Sequence, residues 1–296
     1  MLKTLFFISL LSFMSLASAK VEVRWLTVSC IVLQDGESTL VFDPMFTRAG
    51  LSHWLNLSEL RSDQVLVEKV LKEQGITKAD AVFASHSHFD HSIDAPMVSK
   101  ISGATFYTDR SSERIARAYR DPQIKTKLLT NRQPIQIGKF KLTPILRDHA
   151  PIRLIDVNFL PGDVPETFRF GFYDYHMGET WFYFIEHPEL KILIDQGASA
   201  HLDKLKSLTS SVDVLIQGIA NREHDEAITK GYLLNLKPKL FIPTHIDNFF
   251  AAFNPQAEMT YLPGVKWDEF LKSFEQTKPS AKLIKPKYGE RIVLTP

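Results

Sequence analysis

Most of the chemistry this sequence can offer lies in one short run, His86-Ser87-His88-Phe89-Asp90-His91, which directly follows the apolar stretch Ala81 to Ala84. In extended backbone, residues i and i+2 point the same way, so His86 and His88 can grip one metal ion. A turn at Phe89 would then swing Asp90 and His91 toward a second. Imidazole and carboxylate without thiolate suit Zn2+, and also Mn2+ or Fe2+. The same arrangement, an apolar strand ending in a potential ligand, recurs downstream. Leu142 to Leu146 leads into Arg147-Asp148-His149, Ile192 to Ile194 into Asp195, and Leu240 to Thr244 into His245. Open sheets place their sites at the carboxyl ends of strands, so these ends could converge on one cluster. Four ligands complete a tetrahedral site, and His86, His88, Asp90, His91, His149, Asp195 and His245 together exceed that number, which points to two divalent metal ions.

The elements that must carry these residues are short and mixed. Apolar runs of strand length and β-branched content recur at Val21 to Leu26, Cys30 to Leu33, Thr39 to Phe42, Ala81 to Ala84, Phe140 to Leu146, Trp181 to Ile185, Ile192 to Ile194, Val214 to Ile216 and Leu240 to Ile242. Helical spacing is clearest over Asp63 to Gln74. There Val65, Leu66, Val70 and Leu71 would share a face, Asp63 would cap the start and Gly75 would end the helix. Weaker helical patterns cover Ala95 to Ile101, Ser111 to Tyr119, Leu202 to Leu208, Glu223 to Leu236 and Trp267 to Phe274. Strands and helices alternate along the whole length, so the class is α/β or α+β, read as a single domain over 20–296.

Composition excludes several classes. The chain has 296 residues, 44% apolar and 23% charged, with 35 Lys+Arg against 34 Asp+Glu. These proportions exclude disorder and collagen-like architectures, and a net charge of +1 lacks the basic excess expected of a nucleic-acid binder. Residues 1–19 read as a secretory signal: Lys3 is their one charge, Leu5 to Leu16 is apolar, and Ala17-Ser18-Ala19 fits the small-residue rule for cleavage. The apolar stretch falls well short of the roughly 20 residues a transmembrane helix needs, and no later segment reaches it. The expectation is an exported, periplasmic or secreted protein without a transmembrane anchor. Cys30 is the single cysteine. Its neighbours Ile31, Val32 and Leu33 mark it as a small buried hydrophobe rather than a reactive thiol.

On its ordered ligand residues the sequence resembles the metallo-β-lactamase superfamily, whose hallmark His-x-His-x-Asp-His is here His86, His88, Asp90 and His91. The likeness covers nearly all of 20–296. It implies a four-layer αββα sandwich with a dinuclear site at one edge. It also implies that His86, His88 and His149 hold the first ion, Asp90, His91 and His245 the second, and Asp195 bridges the two. Val41-Phe42-Asp43-Pro44, Arg147-Asp148-His149-Ala150-Pro151 and Pro243-Thr244-His245-Ile246-Asp247 resemble the branch containing ascorbate-6-phosphate lactonase and N-acylphosphatidylethanolamine phospholipase D. Thr27-Val28-Ser29-Cys30 departs from that branch, which often carries a Gly-His pair there. The activity so implied is hydrolysis of an ester, lactone or phosphodiester by a metal-bound hydroxide, with Asp90 as the catalytic carboxylate. The alternatives are metal-dependent redox or sulfur chemistry, or a non-catalytic metal-binding member of the fold.

Other polar residues could serve such a site. Asp43, at a strand end, could orient a ligand histidine, and His176 and His224 in polar loops could meet substrate. His53, His187 and His201 are expected at the surface. The long loops 44–62, 151–180 and 248–263 are rich in aromatic residues. They could roof the metals and receive an apolar acyl or aryl group of a small-molecule or lipid-like substrate, or they could simply pack the core.

Overall fold

A computed structural model describes residues 20–149, 159–222 and 224–295. The leader expected at 1–19, Ala150-Pro151 of the third motif and Glu223 lie outside the described residues. Two seven-stranded sheets stack face to face. In the first, β1 (Glu22–Thr27), β2 (Cys30–Gln34) and β3 (Thr39–Phe42) form an antiparallel meander. Parallel β4 (Ala81–Phe83), β5 (Thr105–Thr108) and β6 (Lys125–Leu128) continue it. In the second, β7 (Ile135–Ile137), β8 (Phe140–Arg147), β9 (Thr180–His187) and β10 (Leu190–Asp195) run antiparallel. Parallel β11 (Val214–Gly218), β12 (Leu240–Thr244) and β13 (Lys282–Leu283) follow, and β14 (Ile292–Val293) closes the far edge of the first sheet beside β1.

Period-two patterning sends one face of each strand into the space between the sheets. Trp25, Ile31, Phe42 and Phe83 from the first sheet meet Phe140, Tyr183, Ile185 and Ile194 from the second. The outer face of the first sheet is covered by the helices Gln64–Glu73 and Ala95–Ser102, and that of the second by Trp267–Thr277 and the segment 226–236. The result is the expected α/β/β/α layering.

Asp63 caps the Gln64–Glu73 helix, its carboxylate accepting from Leu66 N at 3.0 Å, a contact typically worth about 1 kcal/mol. Gly75 ends it with φ +65°, a left-handed conformation that glycine adopts without strain. The buried face differs from the expectation. Val67, Val70 and Leu71 point inward at i, i+3, i+4, while Val65 is 76% exposed. Val65 stands two residues before Val67, about 200° around the helix, and so faces away from the buried stripe. The Glu223 to Leu236 expectation also changes form. A short helix Glu226–Ile228 opens into the π-type turn Thr229–Leu233 before Leu234–Leu236. β5, β6 and β7, which the apolar-run reading did not pick out, are short and carry polar residues on the solvent side. No helix among the described residues is long and apolar enough to cross a membrane.

Candidate metal centre

The sheets bring the ligand-type residues together because parallel strands end on the same edge. β4 runs into Ala84 and Ser85. Its exit is fixed from the opposite sheet by Tyr183 Oη donating to Ala84 O at 2.7 Å and Trp181 N donating to Ser85 O at 2.7 Å. From there His86 and His88 project into one space, His86 Nε2 lying 2.9 Å from His88 Nδ1. His149, just past β8, adds a third imidazole with its ring 4.9 Å from that of His86 and 5.2 Å from that of His88. One nitrogen from each of the three lies within 4.8 Å of the others.

The turn at Phe89 is real: Phe89–Ser92 is a single helical turn that brings Asp90 and His91 back toward His86, and these three form a second group within the same 4.8 Å limit. His245 joins from the end of β12. Its Nε2 is 3.1 Å from Asp90 Oδ2, which also lies 3.5 Å from His91 Nε2. His245 Nδ1 is buried with no hydrogen-bond partner among the described residues.

The histidine orientations have identifiable supports. Asp43 sits in the left-handed region at φ +44°, between β3 and Pro44. It accepts from Ser85 N through Oδ1 and faces His91 Nδ1 at 3.1 Å through Oδ2. That contact occupies the His91 Nδ1 proton and leaves Nε2 for an ion. His245 is held at φ +55° by its own N–H donating to Val28 O at 2.7 Å. Val28 is a β-branched residue at φ +46°, a conformation that costs about 1–3 kcal/mol and persists only where the surroundings impose it. Asp247 imposes it, accepting from Val28 N at 2.7 Å and from Thr27 Oγ1 at 2.5 Å. The segment Thr27 to Cys30, where the sequence departs from the lactonase-like pattern, is therefore the turn that grips the His245 loop.

Electrostatics suit a cation. Burial, with the neighbouring imidazoles adding to it, holds the His86 pKa well below that of a free imidazole. Burial also lowers His88 to about 4, against the pull of Asp90. Both are thus neutral at physiological pH, the form that binds metal. Burial lowers the His91 pKa too, but Asp90 and Asp43 outweigh it and the net shift is upward. For Asp90, burial alone would raise the pKa. His91, His245 and His88 reverse this and hold the carboxyl well below its usual range, so it is ionised. Neutral buried imidazoles converging beside an ionised carboxylate, with one buried imidazole nitrogen unpartnered, fit a divalent ion.

Asp195 takes a different place. It is fully buried at the end of β10, and the clusters above do not include it. Oδ1 accepts from Gly197 N at 2.9 Å and faces Arg147 Nε at 3.3 Å, while Oδ2 accepts from Tyr232 Oη at 2.9 Å. His176 lies away from the cavity, its Nδ1 2.8 Å from Pro161 O, whereas His224 is on the cavity wall. His187, expected at the surface, is buried at the opposite end of the sandwich against Phe140 and Asp35. A histidine within an alternating strand follows the face its register dictates. Cys30 is buried as expected, and burial pushes its thiol pKa well up.

The cluster forms the floor of a cavity of about 1010 Å³. Trp54, Phe89, Phe159, Phe172, Phe249 and Phe250 line one side, and Asn221, Arg222, His224 and Lys266 the other. The aromatic loops divide between the two expected uses: these rings wall the cavity, while Met45, Phe46, Phe168, Phe170 and Tyr175 pack the interior. Sequence reading did not single out Arg222 and Lys266. They pair with Asp225 and Glu269, and no motif marks them.

A family model described as beta-lactamase superfamily domain matches residues 22–245, which spans β1 to β12 and every ligand-type residue described above. The chain belongs to the metallo-β-lactamase superfamily. It is 26% identical over 256 residues to a UPF0173 metal-dependent hydrolase of Anaeromyxobacter sp. (strain K), covering 82% of this chain and 81% of that one. Among solved structures it is similar to the metallo hydrolase Igni18 of Ignicoccus hospitalis, with TM-score 0.57, 17% identity, and 92% and 97% of the two chains covered. It is also similar to the metallo-beta-lactamase fold protein YhfI of Bacillus subtilis, with TM-score 0.59, 14% identity, and 92% and 99% covered. Both likenesses concern the fold. Members of the superfamily similar to this one thus carry the names metal-dependent hydrolase and metallo hydrolase.

Proposed function

We propose that this protein is a metal-dependent hydrolase that cleaves an ester, lactone or phosphodiester bond in a small-molecule or lipid-like substrate with an apolar arm. The observation that carries this reading is the position of the clusters His86–His88–His149 and Asp90–His91–His245 on the floor of an aromatic-walled cavity. His86, His88 and His149 would hold one divalent ion and Asp90, His91 and His245 a second. The thiolate-free donor set suits Zn2+, with Mn2+ or Fe2+ as alternatives. With such ions bound, the site would supply a water whose pKa falls from 15.7 to about 7 and a Lewis acid for the scissile group.

The chain supplies the rest. Asp90, ionised beside its histidine neighbours, would orient the attacking water or shuttle its proton while also holding the second ion. Asp43 keeps His91 in one tautomer. The rings of Trp54, Phe159, Phe172 and Phe250 exclude water from the reacting bond and bind the apolar arm. Among p-nitrophenyl esters of increasing acyl length, assayed beside lactones and phosphodiesters, kcat/KM should rise with chain length, because each buried CH2 adds about 0.8 kcal/mol of binding. Flat chain-length dependence would remove the apolar-arm assignment, and inactivity on every bond class would remove the hydrolase.

Export belongs to the same proposal, resting on the Leu5 to Leu16 apolar stretch and Ala17-Ser18-Ala19. Mass mapping of protein recovered from the periplasm or medium should find Lys20 as the first residue, and an intact Met1 to Ala19 leader there would refute processing.

A further inference from the structure

His88 turns one nitrogen into the metal cluster and the other out of it. The outer one, Nε2, lies 2.7 Å from the carbonyl oxygen of Phe159. A carbonyl can only accept, so Nε2 carries the proton, and Nδ1, which faces His86 Nε2 at 2.9 Å, keeps its lone pair for an ion. The acceptor does not come from a strand end of the metal centre. It belongs to the loop whose rings wall the cavity, and the Phe159 ring is one of them.

Phe159 therefore acts in two directions. Its carbonyl holds a ligand imidazole, while its ring stands 5.8 Å from the His88 ring and 6.3 Å from that of Phe172 in the aromatic wall. Backbone contacts fasten the same loop to the ligand run. Ser87, between the two ligand histidines, donates from N to Met177 O at 3.0 Å and from Oγ to His176 O at 2.6 Å. Met177 N in turn donates to Leu160 O at 2.8 Å, and Gly178 N to Gly162 O at 2.9 Å. Gly178 lies at φ +63°, and a Cβ there would meet Ser87 Oγ at 2.5 Å, so this close approach needs glycine. Hydrogen bonds thus close a ring from Ser87 through 176–178 and 160–162 to Phe159 and back to His88. An apolar chain packed on the Phe159 ring restricts that residue and keeps its carbonyl on the Nε2 proton, which favours the form of His88 that binds metal.

We propose that Phe159 is a positioning residue that couples the aromatic wall to the metal site: with its carbonyl on His88 and its ring in the wall, an apolar chain bound there tightens metal binding, and metal tightens the chain. This coupling rests on the metal-centre and apolar-arm readings above and adds an energetic link between them. Linkage requires the two enhancements to be equal.

The test uses metal-stripped full-length protein, Zn2+ as the ion, and octyl glucoside below its micelle concentration as an apolar chain that carries no ester, lactone or phosphodiester bond. Zn2+ affinity is measured against a chromophoric chelator with and without saturating octyl glucoside, and octyl glucoside affinity by calorimetry with and without Zn2+. Wild type should show the same enhancement in both directions, about fivefold or more. Phe159→Ala should bind Zn2+ about 10-fold more weakly, as for loss of an outer support of a ligand histidine, and should lose the enhancement. Phe250→Ala removes a wall ring that packs on Trp54 and Phe249. It should bind octyl glucoside more weakly yet keep the enhancement at saturation.

Zn2+ affinity indifferent to octyl glucoside in wild type, an undiminished enhancement in Phe159→Ala, or an equal loss of it in Phe250→Ala overturns the proposal. Wild type that binds no Zn2+ overturns the metal-centre reading as well, and wild type that binds Zn2+ but no octyl glucoside overturns the apolar-arm reading as well. Should Phe159→Ala fail to fold, NMR of the imidazole N–H protons in Zn2+-loaded wild type decides. Slower solvent exchange of the His88 Nε2 proton on adding octyl glucoside supports the coupling, and unchanged exchange overturns it.

Discussion

Replacing His86 by Ala lowers kcat/KM by about a thousandfold or more, the largest single loss expected in the molecule, because the nucleophile depends on a bound ion. His86 is the one residue shared by both groups of converging ligand atoms, so its removal opens the His88–His149 side and the Asp90–His91 side together. Its buried ring also contacts Ser85 Oγ and His91, so the truncation leaves a gap beside both. His176→Ala is the matching control. That histidine lies outside the cavity against Pro161 O, so its loss should leave kcat/KM within about twofold of wild type, as for a surface substitution. Steady-state kinetics on whichever substrate class responds, with circular dichroism to verify folding, checks both. A His86→Ala enzyme of near-normal rate would mean that the reaction takes place elsewhere.

The second large effect is at Asp90. Asp90→Asn should lower kcat by about 10²- to 10⁴-fold, the usual worth of a general base, while KM changes little. The amide keeps the shape of the carboxylate but can neither accept a proton nor balance His91 and His245, which now hold Asp90 ionised. Metal held by His86, His88 and His149 should remain, because Asp90 is not in that group. Loss of the ion held by His86, His88 and His149 in proportion to kcat would instead mean that Asp90 acts by maintaining that site, with no part in proton transfer. Parallel measurement of kcat and metal content separates the two.

Much of the site was legible in the sequence because strand ends concentrate chemistry. An apolar run followed at once by His or Asp identified His86, His88, His149 and His245, and their convergence follows from β4, β8 and β12 ending at one edge. Asp90 and His91 needed only the turn at Phe89. Asp43 before Pro44 was readable as a support for a ligand, and it faces His91.

Asp195 ends β10 as the same rule expects, but its partners were not legible. The motif position says that a carboxylate ends β10, but not which way it points. That direction depends on Arg147, Tyr232 and Gly197, which come from three separated parts of the chain. The π-type turn that aims Tyr232 leaves no trace in hydrophobic spacing, because it inserts a residue without changing the composition of the face. His187 and Val65 misled for a simpler reason. Residue type alone suggests an exposed histidine and a buried valine, whereas strand register and helical position decide otherwise.

The central claim is that the histidine cluster is a catalytic metal centre, and depletion followed by reconstitution tests it most directly. Protein stripped with chelator should lose hydrolysis of its responsive substrate and regain it on addition of Zn2+ or Mn2+, in proportion to the metal bound per chain by elemental analysis. His86→Ala treated in the same way should regain none. Full activity in protein that elemental analysis finds free of metal, or stoichiometric metal with no hydrolysis of any ester, lactone or phosphodiester, would contradict it.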